Sequence, residues 1–246
     1  MMKLMSMAAA MMLAVSGQGW AEQPAGTPLF EVSAVDRDTV PPGTPEAFSA
    51  VFGQSLQNEA VRVVDEQNIS FVPLSFIPLG GGRVALVSTG ASECDGHSCS
   101  GVNSVHYLLR EERYAPYKIE GEWLDVGTGG TFGNPAERWG WSDAIAEAPV
   151  LYTEGGGVWQ GYACSTAALT ELTLEGPVEI ASVPIYYSST GADEINGITL
   201  EGTIVSAEKG RSFTVAYSGA RSFSERYVRG ADGRYALSGE TQVPGC

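Results

Sequence analysis

The chain has 246 residues, 43% of them hydrophobic, which is enough for the core of one large or two small domains. Its 14 basic and 29 acidic side chains leave a net charge of −15, which repels nucleic acid and anionic membrane surfaces and steers cationic partners inward. The longest apolar run, Leu4 to Val15, is shorter than the roughly twenty residues a bilayer-spanning helix needs.

That run follows Lys3 and precedes the small residues Gly19 and Ala21, the layout of a secretory signal peptide cut between Ala21 and Glu22. The expected organisation is a signal peptide over 1–21, a flexible leader over 22–42 and a single mainly β domain with an N-terminal helix over 43–246. Loss of Lys3 takes the net charge to −16. The leader, rich in proline, glycine and alternating charge, is expected to wander over the surface. Thr44-Pro45-Glu46 then reads as a helix start, with a capping hydroxyl, proline at the first helical position and an acid in the first turn. Phe48, Val51, Phe52, Leu56, Ala60, Val63 and Val64 recur at helical spacing, and Gly53 allows either one helix or two short ones.

From Ile69 onward the pattern is short strands punctuated by glycine. Pro73 and Pro78 confine the first to an edge or to bulges. Arg83 to Thr89 is a compact apolar run. Val105 to Arg110 and Tyr114 to Ile119 make a hairpin around Glu111-Glu112, and Leu169 to Leu174 pairs with Val178 to Ile185 across Glu175-Gly176-Pro177. Ile198, Leu200, Gly202 and Ile204 alternate, as do Phe213, Val215 and Tyr217. The last hairpin joins Tyr227–Arg229 to Arg234–Leu237 through Ala231-Asp232-Gly233. Tyr107 to Glu122 resembles Tyr227 to Glu240, which hints at repeated hairpins. The fold class is antiparallel β: a sandwich, a barrel or a small propeller-like stack.

Both histidines and two of the four cysteines fall between Ser92 and Tyr107. In an exported chain an even number of cysteines reads as disulfides, and three pairings are possible. The favoured one closes a small loop between Cys94 and Cys99, with Gly96 in the turn, and ties Cys164 to Cys246 at the C-terminus. Cys94, His97, Cys99 and His106 also have the ligand types of a tetrahedral metal site. Their spacing is not a common zinc pattern, and paired thiols cannot ligate, so no metal is expected. His97 and His106 are the only candidates for a general base, and no nucleophile is nominated beside them. No cofactor is implied.

Gly127 to Gly133 lacks the lysine of a phosphate-binding P-loop, and this stretch and Gly155-Gly156-Gly157 both read as loops near aromatic residues. Those aromatics are Trp123, Phe132, Trp139, Trp141, Trp159 and Tyr162, interleaved with carboxylates. Exposed, Trp123, Trp139, Trp141 and Trp159 could stack on sugars; buried, they are core.

The run Phe71-Val72-Pro73-Leu74, Gly81, Arg83–Val87, His97-Ser98-Cys99-Ser100-Gly101 and Tyr107 resembles uncharacterised exported proteins of Gram-negative bacteria. The likeness extends to Gly155–Tyr162 and Cys164, about half the mature chain. It implies a periplasmic setting and carries no catalytic residue. The expected function is therefore an exported binding protein of unknown specificity that inhibits or neutralises a basic envelope or cell-wall enzyme, its partner being a basic periplasmic or cell-wall protein. The alternatives are a periplasmic hydrolase using His97 or His106, and a glycan-binding module using the tryptophans.

Overall fold

The computed structural model describes residues 26–53, 58–112 and 114–246. The expected signal peptide and Leu56 lie outside the described residues. Two antiparallel meanders build the molecule, so the chain is mainly β as expected. The smaller sheet runs in sequence order through β2 (Ala60–Val64), β3 (Gln67–Gly80), β4 (Arg83–Ser92), β5 (Val102–Leu109) and β6 (Lys118–Trp123). The larger places β1 (Ser33–Ala34) beside β7 (Arg138–Ser142). It then continues through β8 (Val150–Trp159), β9 (Tyr162–Thr173), β10 (Gly176–Ser188), β11 (Thr199–Glu208), β12 (Ser212–Gly219), β13 (Phe223–Arg229) and β14 (Tyr235–Leu237). Among the described residues the one α-helix is α1 (Thr44–Phe52), and no helix is long and apolar enough to cross a membrane.

The helix starts and stops on glycine. Gly43 holds the N-cap in a left-handed conformation, while Thr44 is already helical and its hydroxyl donates to the Pro41 carbonyl, so the expected capping hydroxyl does not cap. Gly53, also at positive φ, ends the helix. The helical stripe is therefore shorter than its spacing suggests. Ala60, Val63 and Val64 lie in β2, where β-branched residues suit the pleat and the Asp65-Glu66 turn returns the chain to β3.

Proline placement follows from missing N–H groups. β3 is flanked by β2 only as far as Phe71, so Pro73 and Pro78 face a free side, and each sits at a bulge in the ladder to β4. Pro116 has the same effect on the hairpin after β5. Its second strand begins at Lys118, not Tyr114, and the intervening turn is held by Arg110 stacked 3.8 Å from the Tyr117 ring centre. The two look-alike hairpins, β5–β6 and β13–β14, fall in different sheets, each the last hairpin of its meander.

The larger sheet curls. β13 stands four strands from β9, about 19 Å away in a flat sheet, yet Arg229 on β13 reaches Glu171 on β9 at 3.1 Å. The Tyr217 hydroxyl likewise donates to the Pro184 carbonyl at 2.8 Å, and that of Tyr235 to Ile145 at 2.9 Å. Inside the curl lies a core that includes Tyr152, Leu169, Ile180, Phe213, Val215 and Tyr227. Phe30 of the leader is buried in it, and Leu29 donates its N–H to Ile204. A second core joins the sheets, setting Leu151 and Leu172 against Ile77, Val87, Val105 and Tyr107. A third fills the space under α1 with Phe48, Val51, Phe71, Leu86 and Leu108.

Cysteines pair as Cys94–Cys99 and Cys164–Cys246, the second anchoring the final residue to β9. Two disulfides suit an oxidising compartment outside the cytoplasm.

Candidate functional site

The β8–β9 hairpin closes on Gln160 and Gly161, both at positive φ, the two-residue turn whose twist matches paired strands. It leaves Trp159 and Tyr162 as the last cross-strand pair, at the tip of the hairpin. Gly155, Gly156 and Gly157, expected as a loop, are instead the middle of β8, paired with Thr166, Ser165 and Cys164. Gly155 and Gly157 are glycines because another chain segment lies on them, and Gly156 because its partner strand β9 approaches closely. A Cβ at Gly155 would sit 2.0 Å from the Gly129 carbonyl oxygen, and one at Gly157 would sit 2.8 Å from Thr131 and 3.7 Å from the His97 ring. The glycine-rich loop 127–133 is thus a packing element, and it sets the Phe132 ring beside His97.

A second loop, closed by Cys94–Cys99, is stitched to the first. Ser92 N–H donates to the Gly133 carbonyl at 2.8 Å, and Gly133 N–H donates to Cys99 at 3.1 Å. This arrangement brings His97 to the hairpin. Its Nε2 lies 2.8 Å from the Val158 carbonyl, to which it donates, and its ring meets Phe132 and Trp159 edge-on, both at 5.1 Å. Phe132, Trp159 and Tyr162 remain 54, 62 and 39% exposed, so the rings form one uncovered apolar surface. Around it the side chains are acidic. Glu93 and Asp95 are exposed in and beside the disulfide loop, and Asp193 and Glu194 are exposed in the 189–197 loop, whose Gly191 packs on Gly161. The backbone N–H groups of Asn196 and Ile195 donate to the Asp193 carboxylate and hold it below its usual range.

The other histidine is placed in the opposite way. His106 on β5 is fully buried, its Nε2 3.0 Å from Glu122 of β6 and its ring against Phe52 of α1. Burial lowers its pKa against the opposing pull of Glu122, and Arg62 lowers it further. Among the described residues, its Nδ1 and the hydroxyls of Ser88 and Ser104, which share its face of the sheet, have no hydrogen-bond partner. The two histidines therefore do not share a site. With Cys94 and Cys99 joined to each other, the four-ligand set is not assembled, and among the described residues no group of three or more His, Cys, Asp or Glu side chains is gathered.

The tryptophans are dispersed as well. Trp123 and Trp139 are half-buried against the core between the sheets, Trp123 4.8 Å from Tyr107. Trp141 pairs with Leu151, eight residues along β8 from Trp159, a separation of about 26 Å at strand rise. Only Trp159 belongs to the exposed cluster. Sequence reading marked its rings but missed that His97 joins them, because the contact spans 61 positions and leaves no local pattern.

A concavity of about 220 Å³ lies where the leader crosses the curled sheet, walled by Phe30, Val32, Ile185, Ile204, Arg138 and Tyr152. Behind it Glu154 is buried, bonded by the Tyr152 hydroxyl at 2.6 Å and by Arg138 at 3.5 Å. Burial, and then the charge of Glu154, raise the pKa of neighbouring Glu137. These groups pair with each other, and their arrangement is that of a structural network. No protein-family model, curated protein or solved structure matches the chain.

Proposed function

We propose that this is an exported, periplasmic binding protein whose signal peptide is removed near Ala21. It engages a basic partner, of the kind an envelope or cell-wall protein would present, through the aromatic tip of the β8–β9 hairpin. The observation that carries the reading is the cluster of His97, Phe132 and Trp159, rigidly braced yet more than half exposed at its two outer rings. Aromatic faces attract guanidinium and ammonium groups, and desolvation at an interface strengthens that attraction to about 2 kcal/mol. Exposed Glu93, Asp95, Asp193 and Glu194 add a long-range field of the same preference, and the whole chain, at −15, points it outward. The surface is built on the tip of a hairpin, a projection that enters a partner's cleft more readily than it encloses a small molecule. Catalysis has less support, because one histidine is sealed in the core and the other spends its Nε2 on a backbone carbonyl.

The test is kinetic. Partner recovered from native periplasm is immobilised and titrated with the purified protein at several salt concentrations. The association rate should fall as the Debye length shortens from about 30 Å at 0.01 M to about 8 Å at 0.15 M. Trp159→Ala should raise the dissociation rate. A partner whose binding ignores both salt and Trp159 overturns the proposal.

A further inference from the structure

The smaller sheet ends on two edge strands of opposite construction. β6 carries Lys118, Glu120 and Glu122 along its length, and its ladder to β5 is interrupted at Tyr107–Leu108. Charges and bulges of this kind keep a free edge from pairing with another chain. β2, at the other edge, has no bulge and one charge. Its ladder to β3 runs without a shift from Ala60↔Phe71 to Val64↔Gln67, and no described strand pairs with its outer side. Alternation turns Ala60 and Val64 to the core under α1 and sets Arg62 over the Phe52 ring. Val61 and Val63 are left 62 and 67% exposed on the other face. A regular, valine-rich, unprotected edge is a template for one more strand.

Charge selects which strand. The turn after β2 bears Asp65 and Glu66, and beyond it opens a groove of about 550 Å³ bounded by Val64, Asp65, Asp125 and the backbone of Gly127–Gly130. Burial and the nearby charge of Asp65 raise the pKa of Asp125, and neither carboxylate has a salt-bridge partner among the described residues. The opposite end of β2 is preceded by Glu59, which accepts from the Ser70 hydroxyl. A second copy added edge to edge in antiparallel fashion would bring Asp65 and Glu66 of one chain toward Glu59 of the other, a like-charge contact that opposes self-pairing. A basic segment would meet no such cost.

We propose that β2 accepts an extended segment of a partner protein as an additional antiparallel strand. Apolar or β-branched residues occupy alternate positions of that segment, and lysine or arginine at its amino-terminal end enters the groove between Asp65 and Asp125. Main-chain hydrogen bonds to β2 supply affinity, contact with Val61 and Val63 selects the alternate side chains, and the groove sets direction. This surface is separate from the aromatic tip, and the proposal stands or falls without it.

The probe is a blocked peptide, Lys-Lys-Val-Thr-Val-Thr-Val, titrated onto the purified protein by fluorescence anisotropy while backbone amide exchange is read across residues 60–64. Saturable binding is expected, with slowed exchange at the β2 amides that face away from β3. Val63→Lys, checked for retained fold by circular dichroism, should weaken binding about tenfold, as should the paired substitution Asp65→Asn with Asp125→Asn. Replacing the peptide lysines with glutamates should abolish binding. Failure to bind, or equal binding by the Val63→Lys protein, overturns the proposal. Equal affinity for a peptide with its lysines at the carboxyl end overturns the direction assigned here. Sedimentation of the peptide-free protein as a dimer gives the edge to a second copy, and β2 amides already protected before peptide is added give it to the chain itself; either result overturns the proposal too.

Discussion

His97 lies inside the disulfide-closed loop and His106 on the strand that follows it, yet the fold sends them to opposite environments. His97 stands among Phe132 and Trp159 on an open surface, held there by one bond to the Val158 carbonyl. His106 is sealed under α1, tied to Glu122 and left with an unpaired Nδ1 near two unpaired serine hydroxyls. The first region keeps its apolar area outside, where it contributes nothing to folding and is available for binding. The second buries polar atoms that each cost about 1–3 kcal/mol unpaired, and so depends on its cover. The cover is a nine-residue helix between two glycines. Stability should therefore respond strongly to changes under α1 and weakly to changes at the hairpin tip, while binding should respond the other way.

The largest effect is expected from Phe48→Ala. Phe48 is fully buried and fixes α1 on Phe71, Leu86 and Leu108. Truncation should cost about 3–5 kcal/mol in urea unfolding. It should also open His106 to solvent, visible as a rise in its NMR titration midpoint. An unfolding cost below 1 kcal/mol, with an unchanged His106 titration, would mean that α1 is not the cover.

A smaller effect follows from protonation. His106 has a folded pKa below its unfolded value near 6.5, because burial disfavours the cation. Between those two values the unfolded chain binds more protons than the folded one, so stability is complete above about pH 6.5 and is lost as pH falls through the window. The slope cannot exceed about 1.4 kcal/mol per pH unit for one group. Asp125 and Glu137 have raised pKa values and act with the opposite sign at lower pH, where protonation favours the folded chain. Urea titrations from pH 7 to 5.5, compared between the parent and His106→Gln, isolate the histidine. The variant should be less stable at pH 7 and should lose less on acidification. Parallel pH profiles would show that folding leaves the His106 pKa unshifted.

Much of this contrast was hidden in the sequence. The β class, the final hairpins and the favoured cysteine pairing were legible because each rests on local signals: alternation, turn residues, and the short reach between Cys94 and Cys99. The extent of α1 was misread because Ala60 and Val64 satisfy helical and strand spacing alike, and only Gly53 and the ladder to β3 decide between them. Gly155–Gly157 looked like a loop because glycine signals flexibility in isolation. Here it signals close approach by Gly129 and Thr131, a contact no neighbouring residue encodes. The site was legible only as an inventory of aromatics. Its assembly depends on which loop lies on which strand, and hence on long-range packing.

At the tip, expected stability effects are the smallest, and there the two roles of His97 can be separated. Its ring fills the space between Phe132 and Trp159, while its Nε2–H bonds the Val158 carbonyl. His97→Phe keeps a ring and deletes the bond; His97→Ala deletes both. Because the carbonyl lies at a hairpin end open to water, losing the bond should cost no more than about 0.5–1.5 kcal/mol, and neither variant should approach the cost of Phe48→Ala. Their effects on Trp159 should differ. With phenylalanine in place the indole keeps an aromatic neighbour, and its fluorescence emission should stay near that of the parent. With alanine, Trp159 gains water on its inner face, and its emission should move to longer wavelength. The remaining tryptophans are common to both variants, so difference spectra against Trp159→Phe isolate the signal. Identical shifts in both variants would assign the bracing of the tip to the hydrogen bond. A shift in His97→Ala alone assigns it to the ring, and it is the ring that the proposed binding surface requires.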